Sequence, residues 1–299
     1  MKIIALIVTH NRLSLLKEAV AAVQAQSTVP EIIVVNNGST DATAEWLSAQ
    51  ALSVITQENL GASGGFYAGI RAAYEKGADW IWVMDDDTIP HTDALQKMLQ
   101  AADNMKQEAT TPPIGFLVSK AVWTDGTPHW MNLPEIRHVV NGRPFCAYDQ
   151  HGISLVHSAS FVSVLLSREA IRQCGYPIRE FFIWADDTEF TTRITRAGMI
   201  GGYVPSSTVL HKTAINYSAD LYTARPAESF KHFFGIRNKL YCRRIWKGEF
   251  SFWSNVLKNL LVIPFRILRK RKDHRWQYIR LNWRATLAAI GFKPVPEKA

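Results

Sequence analysis

The sequence predicts an α/β fold in which a mostly parallel sheet carries helices on both faces and a basic helical segment follows. Three observations predict it. Short apolar runs alternate with segments of helical spacing over roughly the first third of the chain, which is the pattern of a doubly wound sheet. Polar or glycine-rich clusters follow these runs, at the edge where such a sheet binds its ligands. Positive charge is concentrated near the C-terminus.

The strands are predicted from continuous apolar runs, which indicate burial on both faces of a sheet. They lie at residues 3–8, 31–35, 53–56, 80–84, 114–119, 160–166 and 200–204. The helical spacing of apolar residues, with capping and breaking residues at the ends, predicts the helices. They lie at residues 13–26, 41–49, 66–76, 92–105, 168–174 and 186–196.

The segments between the predicted strands and helices contain residues that are typical of helix caps and turns. Asp41 is a candidate N-cap of the second helix, and Gly61 to Gly65 predict a glycine-rich turn. Gly198 is expected to end the helix that begins at residue 186. Residues 120–157 contain Pro, Gly, Trp and His without a long periodic segment, so we expect hairpins and loops there.

The charge distribution predicts two regions of different character. The formal net charge of the chain is +8, but residues 231–284 alone contain 15 Lys and Arg against 2 acidic residues. The remaining sequence holds 19 basic and 24 acidic residues. Such asymmetry points to an anionic partner for the basic region. We therefore divide the chain into a globular region, 1–224, and a basic helical region, 225–299.

The basic region combines its charge with apolar residues at helical spacing. Between 250 and 267 these residues are Phe252, Trp253, Val256, Leu257, Leu260 and Leu261. Basic amphipathic helices with Trp and Phe are typical of segments that lie on a membrane surface. The alternative is a helical subdomain whose apolar stripe packs on the body. Nucleic acid is not an expected partner, because no recognised binding motif accompanies the charge.

Cysteine usage and the N-terminus predict the compartment. The three cysteines are odd in number and form no CxxC pair, which favours a reducing compartment over a disulfide framework. The first apolar run, 3–8, is too short for the core of a signal peptide. The run from 260 to 265 is far shorter than a membrane span of ~20 residues. We expect a cytoplasmic protein that attaches peripherally to the inner face of the membrane.

The candidate site begins with three consecutive carboxylates. Asp85, Asp86 and Asp87 follow directly after an apolar strand. Like charges in a row need a positive partner, and hard oxygen ligands favour Mg²⁺ or Mn²⁺. The alternative is a solvated acidic turn in which Asp87 or Thr88 caps a helix. The loops after the other early strands, at 9–12, 36–41 and 59–65, should converge with these carboxylates on one crevice.

The ordered motifs resemble those of family 2 glycosyltransferases, and the likeness covers about residues 1–212. The matching stretches are Ile7-Val-Thr-His-Asn-Arg12, Ile33-Val-Val-Asn-Asn-Gly-Ser-Thr-Asp41, Asn59-Leu-Gly-Ala-Ser-Gly-Gly65, Asp85-Asp-Asp87 and Trp184-Ala-Asp-Asp-Thr-Glu-Phe190. The aspartate run and the downstream His211 are most similar to bacterial galactofuranosyl- and rhamnosyltransferases of cell-surface polysaccharide synthesis. The stretch Arg237-Asn-Lys-Leu-Tyr-Cys-Arg-Arg244 is similar to one common after their catalytic domain.

The resemblance implies a GT-A-type Rossmann-like sheet, a nucleotide-sugar donor, a divalent metal and inversion at the anomeric carbon. It implies that Asp87, Asp85 and His211 hold Mn²⁺ or Mg²⁺, although a lone histidine is usually a packed residue. Asp86 would face the donor ribose or sugar. A metal held by carboxylates would neutralise the diphosphate leaving group. The loops at 120–157 would cover the acceptor site.

The resemblance also implies a general base and a donor site. Asp187 lies nearest the position of the base, which takes the proton of the acceptor hydroxyl, and Asp186 is the alternative. Both are otherwise ordinary acids of a helix start. The implied donor-binding residues are Thr9, Arg12, Asn36, Asn37, Asp41, Asn59, Gly64, Gly65, Asp85 and Asp86. Asn36 departs from the family, where an Asp commonly accepts from uracil; an Asn carbonyl can still accept, but a uracil preference is less secure.

We therefore expect an inverting, metal-dependent glycosyltransferase. It would move galactofuranose from UDP-galactofuranose to a lipid-linked glycan at the cytoplasmic membrane face, as in O-antigen or lipopolysaccharide synthesis. The alternative donor is dTDP-rhamnose. A nucleotidyltransferase also uses Mg²⁺ held by carboxylates, but we find no basic glycine-rich loop at the start of the first helix. A non-catalytic membrane scaffold is the third possibility.

Overall fold

The structure, a computed structural model, describes residues 1–106, 112–216 and 220–299. The chain forms two compact units. The first contains Met1–Arg179, Asp187–Tyr217 and Pro296–Ala299, and the second contains Glu180–Asp186 and Ser218–Val295. The division proposed from the sequence, 1–224 and 225–299, differs by assigning the segments 180–186 and 218–224 to the globular region. It also assigns the last four residues to the helical region.

The first unit is built on one mixed sheet. Its strands are β1 (Ile3–Thr9), β2 (Glu31–Asn37), β3 (Ser53–Gln57), β4 (Trp80–Asp85), β5 (Thr88–Pro90), β6 (Ile114–Val122), β9 (Ser154–Leu155), β10 (Val164–Ser167) and β11 (Ile200–His211), with the small hairpin β7 (Val139–Val140) and β8 (Arg143–Pro144) outside it. The strand order is β3-β2-β1-β4-β10-β6-β11-β5, and β9 pairs with β11. The first four strands in this order pair in parallel. The predicted α/β alternation is confirmed.

Helices cover both faces of this sheet. They are α1 (Leu13–Gln24), α2 (Thr43–Ser48), α3 (Gly61–Glu75), α4 (Ala94–Lys106), α5 (Arg168–Cys174) and α6 (Asp186–Arg196). Alternate residues of β1 enter different cores: Ile3, Ala5 and Ile7 pack with α1 and α4. Ile4, Leu6 and Val8 pack with α3, α5 and α6. Burial on both faces explains the continuous apolar runs of the strands.

The half of the sheet that contains β10, β6, β11 and β5 has features that the sequence patterns did not predict. β10 is antiparallel to both β4 and β6, and it begins at Val164 rather than at residue 160. β5 was not predicted; it pairs antiparallel with β11, with His211 opposite Thr88. β11 is one strand through His211, with a register shift between Val204 and Thr208. This long strand carries His211 to the end of the aspartate run.

The prediction of a glycine-rich turn at 61–65 is wrong, because α3 begins at Gly61. The Oδ1 atom of Asn59 accepts from the N–H of Gly61 at 2.9 Å and satisfies a donor of the first turn. A Cβ at Gly65 would lie 2.5 Å from Val8 Cγ1, and one at Gly69 would lie 2.2 Å from Leu6 Cδ1. The glycines therefore let α3 lie close against β1.

Two predicted helix starts also shift. The N-cap position of α2 is occupied by Ala42, not by Asp41. Asp41 still supports the start, since its Oδ1 accepts from the N–H of Thr43 at 3.1 Å. The helix expected from Thr92 begins at Ala94. Between β6 and β10 the chain forms the small β7–β8 hairpin and short 3₁₀ turns at Trp130–Asn132 and Asp149–His151, as predicted for a region without periodicity.

The second unit consists mainly of two helices, α7 (Ser229–Lys270) and α8 (Arg275–Gly291). Gly248 interrupts α7 with φ of 80° and ψ of 174°, so that two helical segments meet at a kink. A glycine suits this site because L side chains disfavour positive φ. Leu240, Phe252, Val256 and Ala289 form a buried cluster within the unit.

Within the described residues, the search for membrane-crossing helices found none of sufficient length and apolar character.

Candidate active site

The loops after β1 and β4 lie side by side, because the two strands pair in parallel with Val8 opposite Asp85. The Thr9 hydroxyl donates to Asp86 Oδ2 at 2.7 Å. Arg12 Nη1 donates to Asp87 Oδ2 at 2.7 Å and approaches Asp86 Oδ1 at 3.3 Å. The guanidinium therefore bridges two of the three consecutive carboxylates.

Burial and charge act in opposite directions on these carboxylates. Asp86 is 4% exposed, and burial raises its pKa to about 6 although the charge of Arg12 opposes the shift. Burial also acts to raise the pKa of Asp87, but the contacts with His211 and Arg12 hold that pKa below its ordinary value. Asp87 is thus the carboxylate on which positive and hydrogen-bonding partners concentrate.

The pairing of β5 with β11 brings His211 to Asp87. His211 Nε2 lies 3.0 Å from Asp87 Oδ1. His211 Nδ1 lies 2.8 Å from Asn132 Oδ1, and since an amide oxygen only accepts, Nδ1 is the protonated nitrogen. Nε2 faces a carboxylate oxygen of Asp87, where it can either donate a proton or bind a cation. Two acceptors in this position need a proton or a cation between them.

A divalent cation fits this arrangement. Asp85, Asp87 and His211 each offer one ligand atom, and these atoms lie within 4.8 Å of one another. Two hard carboxylate oxygens with one imidazole nitrogen suit Mn²⁺ or Mg²⁺. The tautomer of His211 leaves the correct nitrogen available for a metal. Among the residues that the structure describes, these three form the group that can hold the ion.

A second histidine supports the ring of His211. His129 is buried, and its ring centroid lies 4.4 Å from that of His211. His129 Nε2 lies 2.8 Å from the Thr213 hydroxyl, which itself donates to the carbonyl of Ile215 at 3.0 Å. Burial lowers the pKa of His129 to about 4, so this ring is neutral near pH 7 and adds no charge beside His211.

The loops after β1 and β2 are joined by Asn11. Its Oδ1 accepts from the N–H of Thr40 at 2.7 Å, and its own N–H donates to the Ser39 hydroxyl at 3.0 Å. Asn36 is buried and its Oδ1 accepts from the N–H of Ser39 at 3.1 Å. Asp41 Oδ2 lies 3.5 Å from the backbone nitrogen of Leu13. The predicted convergence of these loops is confirmed.

The loop after β3 joins the same edge through Asn37. Asn37 Nδ2 donates to the carbonyl of Gly61 at 2.8 Å, and its Oδ1 accepts from Gln57 Nε2 at 2.8 Å and from the N–H of Leu60 at 3.2 Å. Asn59 Nδ2 lies 3.3 Å from His10 Nε2. Gly64 and Gly65 lie in the first turns of α3, directly behind this loop.

The acidic pair lies at the start of α6, where the helix dipole favours negative charge. Asp186 is buried. Asp187 Oδ1 accepts from the N–H of Thr188 at 2.6 Å, and the backbone N–H of Phe161 is a further donor to this carboxylate. Burial nevertheless raises the pKa of Asp187 above its ordinary value. A half-buried carboxylate whose pKa is raised is suited to accept a proton.

One buried ion pair anchors α6 to the first unit. Arg193 contacts Glu189 through two hydrogen bonds of 3.0 and 2.8 Å. It also donates to the carbonyls of Cys174 and Tyr176, the latter at 3.1 Å. Because Arg193 ties α6 to the end of α5, it limits movement of the helix that carries Asp187.

The structure thus brings most of the predicted site residues together at one edge of the sheet. The connected set is Thr9, Arg12, Asn36, Asn37, Asp41, Asn59, Asp85, Asp86, Asp87 and His211. Sequence reasoning missed Asn11, His129 and Asn132. Asn11 lies inside a matching motif, so its polar neighbourhood was a usable signal. His129 and Asn132 lie in a stretch without periodicity, far from His211 in sequence. No sequence signal therefore pointed to these two residues.

A mostly parallel sheet with these loops at one edge and a carboxylate–histidine cluster among them is the arrangement of a glycosyltransferase-type site. The model of the family described as "Glycosyl transferase family 2" matches residues 4–162, which is more than half of the chain. The chain therefore belongs to glycosyltransferase family 2. This membership favours a glycosyltransferase over the nucleotidyltransferase and scaffold alternatives.

The sequence is also similar to curated proteins of known name. The chain is 28% identical over 253 residues to galactofuranosyltransferase GlfT1 of Mycolicibacterium smegmatis, covering 79% of this chain and 81% of the relative. It is 26% identical over 297 residues to galactofuranosyltransferase GlfT1 of Mycobacterium tuberculosis, covering 94% of each chain. The chain is thus a family 2 glycosyltransferase that is similar to galactofuranosyltransferases over most of its length.

Proposed function

We propose that this enzyme transfers galactofuranose from UDP-galactofuranose to a hydroxyl of a lipid-linked glycan, with inversion at the anomeric carbon. The observation that carries the proposal is the cluster of Asp85, Asp87 and His211 beside Arg12, at the edge where the nucleotide-binding motifs converge. The similarity to proteins named galactofuranosyltransferase over most of the chain supports the choice of sugar. Cell-surface polysaccharide synthesis, for example of O-antigen, is the proposed setting.

The donor lies against the loops after β1, β2, β3 and β4. Arg12 faces the diphosphate, and the backbone of Thr9 and the turn at Asn36 and Asn37 hold the nucleoside. The proposed donor-binding residues also include Asp41, Asn59, Gly64, Gly65, Asp85 and Asp86. When bound at Asp85, Asp87 and His211, Mn²⁺ or Mg²⁺ supplies the Lewis acid that neutralises the leaving diphosphate.

Asp187 is the general base in this proposal. It accepts the proton of the acceptor hydroxyl as that oxygen attacks the anomeric carbon, and the nucleotide diphosphate departs from the opposite face. A single displacement of this kind inverts the configuration. The raised pKa of Asp187, caused by burial, supports this role because a more basic carboxylate takes a proton more readily. Asp186, buried at the adjacent position, is the alternative base.

The second candidate donor is dTDP-rhamnose. The Oδ1 atom of Asn36 accepts from the N–H of Ser39 at 3.1 Å, and relatives commonly have an Asp here that accepts from uracil. Uracil and thymine present the same imide N–H and differ only in the 5-methyl group, so an Asn36 oxygen that accepts this N–H does not select a uridine donor. Thymidine donors therefore belong in the same assay.

Three matched aspartate variants test the catalytic proposal. Asp87→Asn and Asp187→Asn are each expected to abolish most glycosyl transfer, the first with loss of Mn²⁺ affinity and the second without it. Asp103→Asn, an exposed position on α4, is the control and should transfer normally. The anomeric configuration of the product, read by NMR, should be opposite to that of the donor. Retained configuration, or full activity of Asp187→Asn, contradicts the mechanism.

We also propose that the second unit rests on an anionic membrane surface. Phe250, Trp253, Leu257, Leu261 and Phe265 lie three or four residues apart along α7 and are exposed, with Leu261 exposed by 71% and Phe250 by 90%. They form one stripe of the helix, while Phe252 and Val256 on the other side are buried.

Exposed cations lie on α7 and on the segment that follows it. They are Lys258, Arg266, Arg269 and Lys270 on α7, followed by Lys272, Arg275, Arg280 and Arg284. Each Lys or Arg near an anionic leaflet adds about 1 kcal/mol of attraction. An apolar stripe together with exposed cations matches a helix that lies in the membrane interface, which is where a lipid-linked acceptor is found.

Vesicle sedimentation tests the membrane proposal. The full chain should bind vesicles that contain phosphatidylglycerol and bind neutral phosphatidylcholine vesicles weakly. Leu261→Asp with Phe265→Asp should abolish this binding. Val29→Asp makes the same chemical change at an apolar residue of the first unit that is 66% exposed, and it should bind as the wild type does. Equal binding of the stripe variant and the wild type contradicts the proposal.

A further inference from the structure

The segment that precedes α6 has an unusual backbone. Phe182, Trp184 and Ala185 have φ angles of 67°, 65° and 70°. L side chains rarely adopt this left-handed region, and no residue of this segment is a glycine. A backbone in such a conformation persists only where its surroundings hold it, and such segments cluster at functional sites. The segment ends at Asp186, the first residue of α6.

Asn238 of α7 holds this segment through its carbonyls. Its Nδ2 donates to the carbonyl oxygens of Phe181 at 2.9 Å, Ile183 at 3.1 Å and Trp184 at 2.9 Å. Asn238 is fully buried. The two N–H hydrogens of this amide are thus shared among three carbonyls of an irregular loop, one of them in a bifurcated hydrogen bond. Backbone pairing in a helix or strand would otherwise satisfy such carbonyls.

The preceding residue adds a second clamp. Arg237 Nη2 donates to the carbonyl of Glu180 at 2.7 Å and to that of Phe181 at 3.2 Å. Burial lowers the pKa of Arg237 to about 10, so it remains charged near neutral pH. The proposed donor and metal sites leave both Arg237 and Asn238 unused.

Side chains of α7 pack against the same segment. The rings of Phe182 and Phe234 stack with centroids 4.6 Å apart, and the rings of Trp184 and His232 meet edge to face at 5.0 Å. A Cβ at Gly235 would lie 2.7 Å from Trp184 Cε3. The left-handed residues are thus fixed by packing as well as by hydrogen bonds.

We infer that Asn238 is a positioning residue for the catalytic step. By fixing the carbonyls of residues 181, 183 and 184, it sets the backbone from which the first turn of α6, with Asp186 and Asp187, continues. The inference rests on the proposed role of that acidic pair as the base. It gives the Arg237–Asn238 pair a function that neither donor binding nor metal binding requires.

The test compares two asparagine-to-aspartate variants of the full chain. Asn238→Asp keeps the shape but cannot donate when ionised. Asn282→Asp is the matched control, because Asn282 is also buried in this unit and its Nδ2 donates to the carbonyl of Asn259 at 2.6 Å. Misplacing a reacting group by about 1 Å can cost ~100-fold in rate, so Asn238→Asp should lower kcat by about 10- to 100-fold. Its KM for the donor and its affinity for UDP with Mn²⁺ should not change.

Hydrogen exchange separates positioning from general destabilisation. Peptides that cover residues 178–190 should exchange faster in Asn238→Asp than in the wild type, whereas Asn282→Asp should keep both the exchange of these peptides and kcat. Gly235→Ala, which displaces Trp184 without removing a hydrogen bond, should lower kcat in the same way. If Asn238→Asp and Gly235→Ala retain normal kcat and exchange while Asp187→Asn is inactive, the inference fails and the proposed base stands. If Asp187→Asn and Asp186→Asn are both active, the proposed function itself fails.

Discussion

Replacing Asn132 by leucine should weaken metal binding without touching a metal ligand. Asn132 Oδ1 accepts from His211 Nδ1 at 2.8 Å, and both residues are buried. Without this acceptor, His211 can place its proton on Nε2, which faces Asp87 at 3.0 Å. Removing such a partner of a metal-binding histidine typically costs about 10- to 100-fold in affinity, or ~1.4 to 2.7 kcal/mol. Titration calorimetry with Mn²⁺ measures this loss directly.

Two further variants control this experiment. Asn132→Asp retains an acceptor for the Nδ1 proton and should keep or increase Mn²⁺ affinity. Asn141→Leu removes an amide that donates to the carbonyls of Thr195 and Met199 at 2.7 and 3.1 Å, and it should not change Mn²⁺ affinity. Nitrogen NMR of the metal-free protein should find His211 protonated at Nδ1 in the wild type. Wild-type Mn²⁺ affinity in folded Asn132→Leu would refute the reasoning.

Three more predictions concern the fold and the base. Arg193→Met leaves the carboxylate of Glu189 buried and unpaired, so the free energy of unfolding measured in urea should fall by roughly 3 to 5 kcal/mol. Replacing both residues by apolar ones should restore most of this loss. Equal losses in the single and double variants would contradict the prediction. Gly69→Ala places a Cβ 2.2 Å from Leu6 Cδ1, so the free energy of unfolding should fall by about 1 to 3 kcal/mol. A thermal melting curve identical to that of the wild type would contradict this prediction. Burial raises the pKa of Asp187 above the ordinary aspartate value. We therefore expect kcat/KM to fall as the pH decreases, with a midpoint above the ordinary value of ~3.9. A midpoint at or below that value would argue against this base.

The sheet was predictable from sequence because each early strand is buried on both faces. In β1, every residue from Ile3 to Val8 contributes to one of two cores, which leaves a continuous apolar run as its signature. The edge of the sheet was predictable for the same reason. Polar residues such as Thr9, Asn36 and Asp85 mark the points where the strands leave the core.

Local signals failed where distant contacts decide the conformation. The glycines at 61–65 carry a turn signal, but Asn59 satisfies the first turn of α3 and the close approach to Val8 requires a residue without a side chain. Tertiary packing here outweighs intrinsic helix propensity. In the same way, the short strand β5 exists only through its pairing with β11, more than a hundred residues later in the chain.

The partners of the site were less predictable than the site itself. Asp87 and His211 were expected from the resemblance to family motifs. Asn132, in contrast, contacts His211 across 79 residues from a region with no periodic pattern. The left-handed residues before Asp186 were also invisible, because none of them is a glycine. Such conformations depend on a clamp such as Asn238, whose hydrogen bonds only the folded backbone reveals.

The measurement that tests the central claim most directly is nucleotide release from a panel of donors, in the presence of a lipid-linked glycan extract. The donors are UDP-galactofuranose, UDP-galactose, UDP-glucose, dTDP-rhamnose and GDP-mannose, each with Mn²⁺ and with EDTA. We predict release of UDP from the galactofuranose donor alone, and its loss with EDTA. Release of dTDP instead would keep the metal-dependent mechanism and replace the sugar. Release that persists unchanged in EDTA, or no release from any donor by folded protein, would contradict the account.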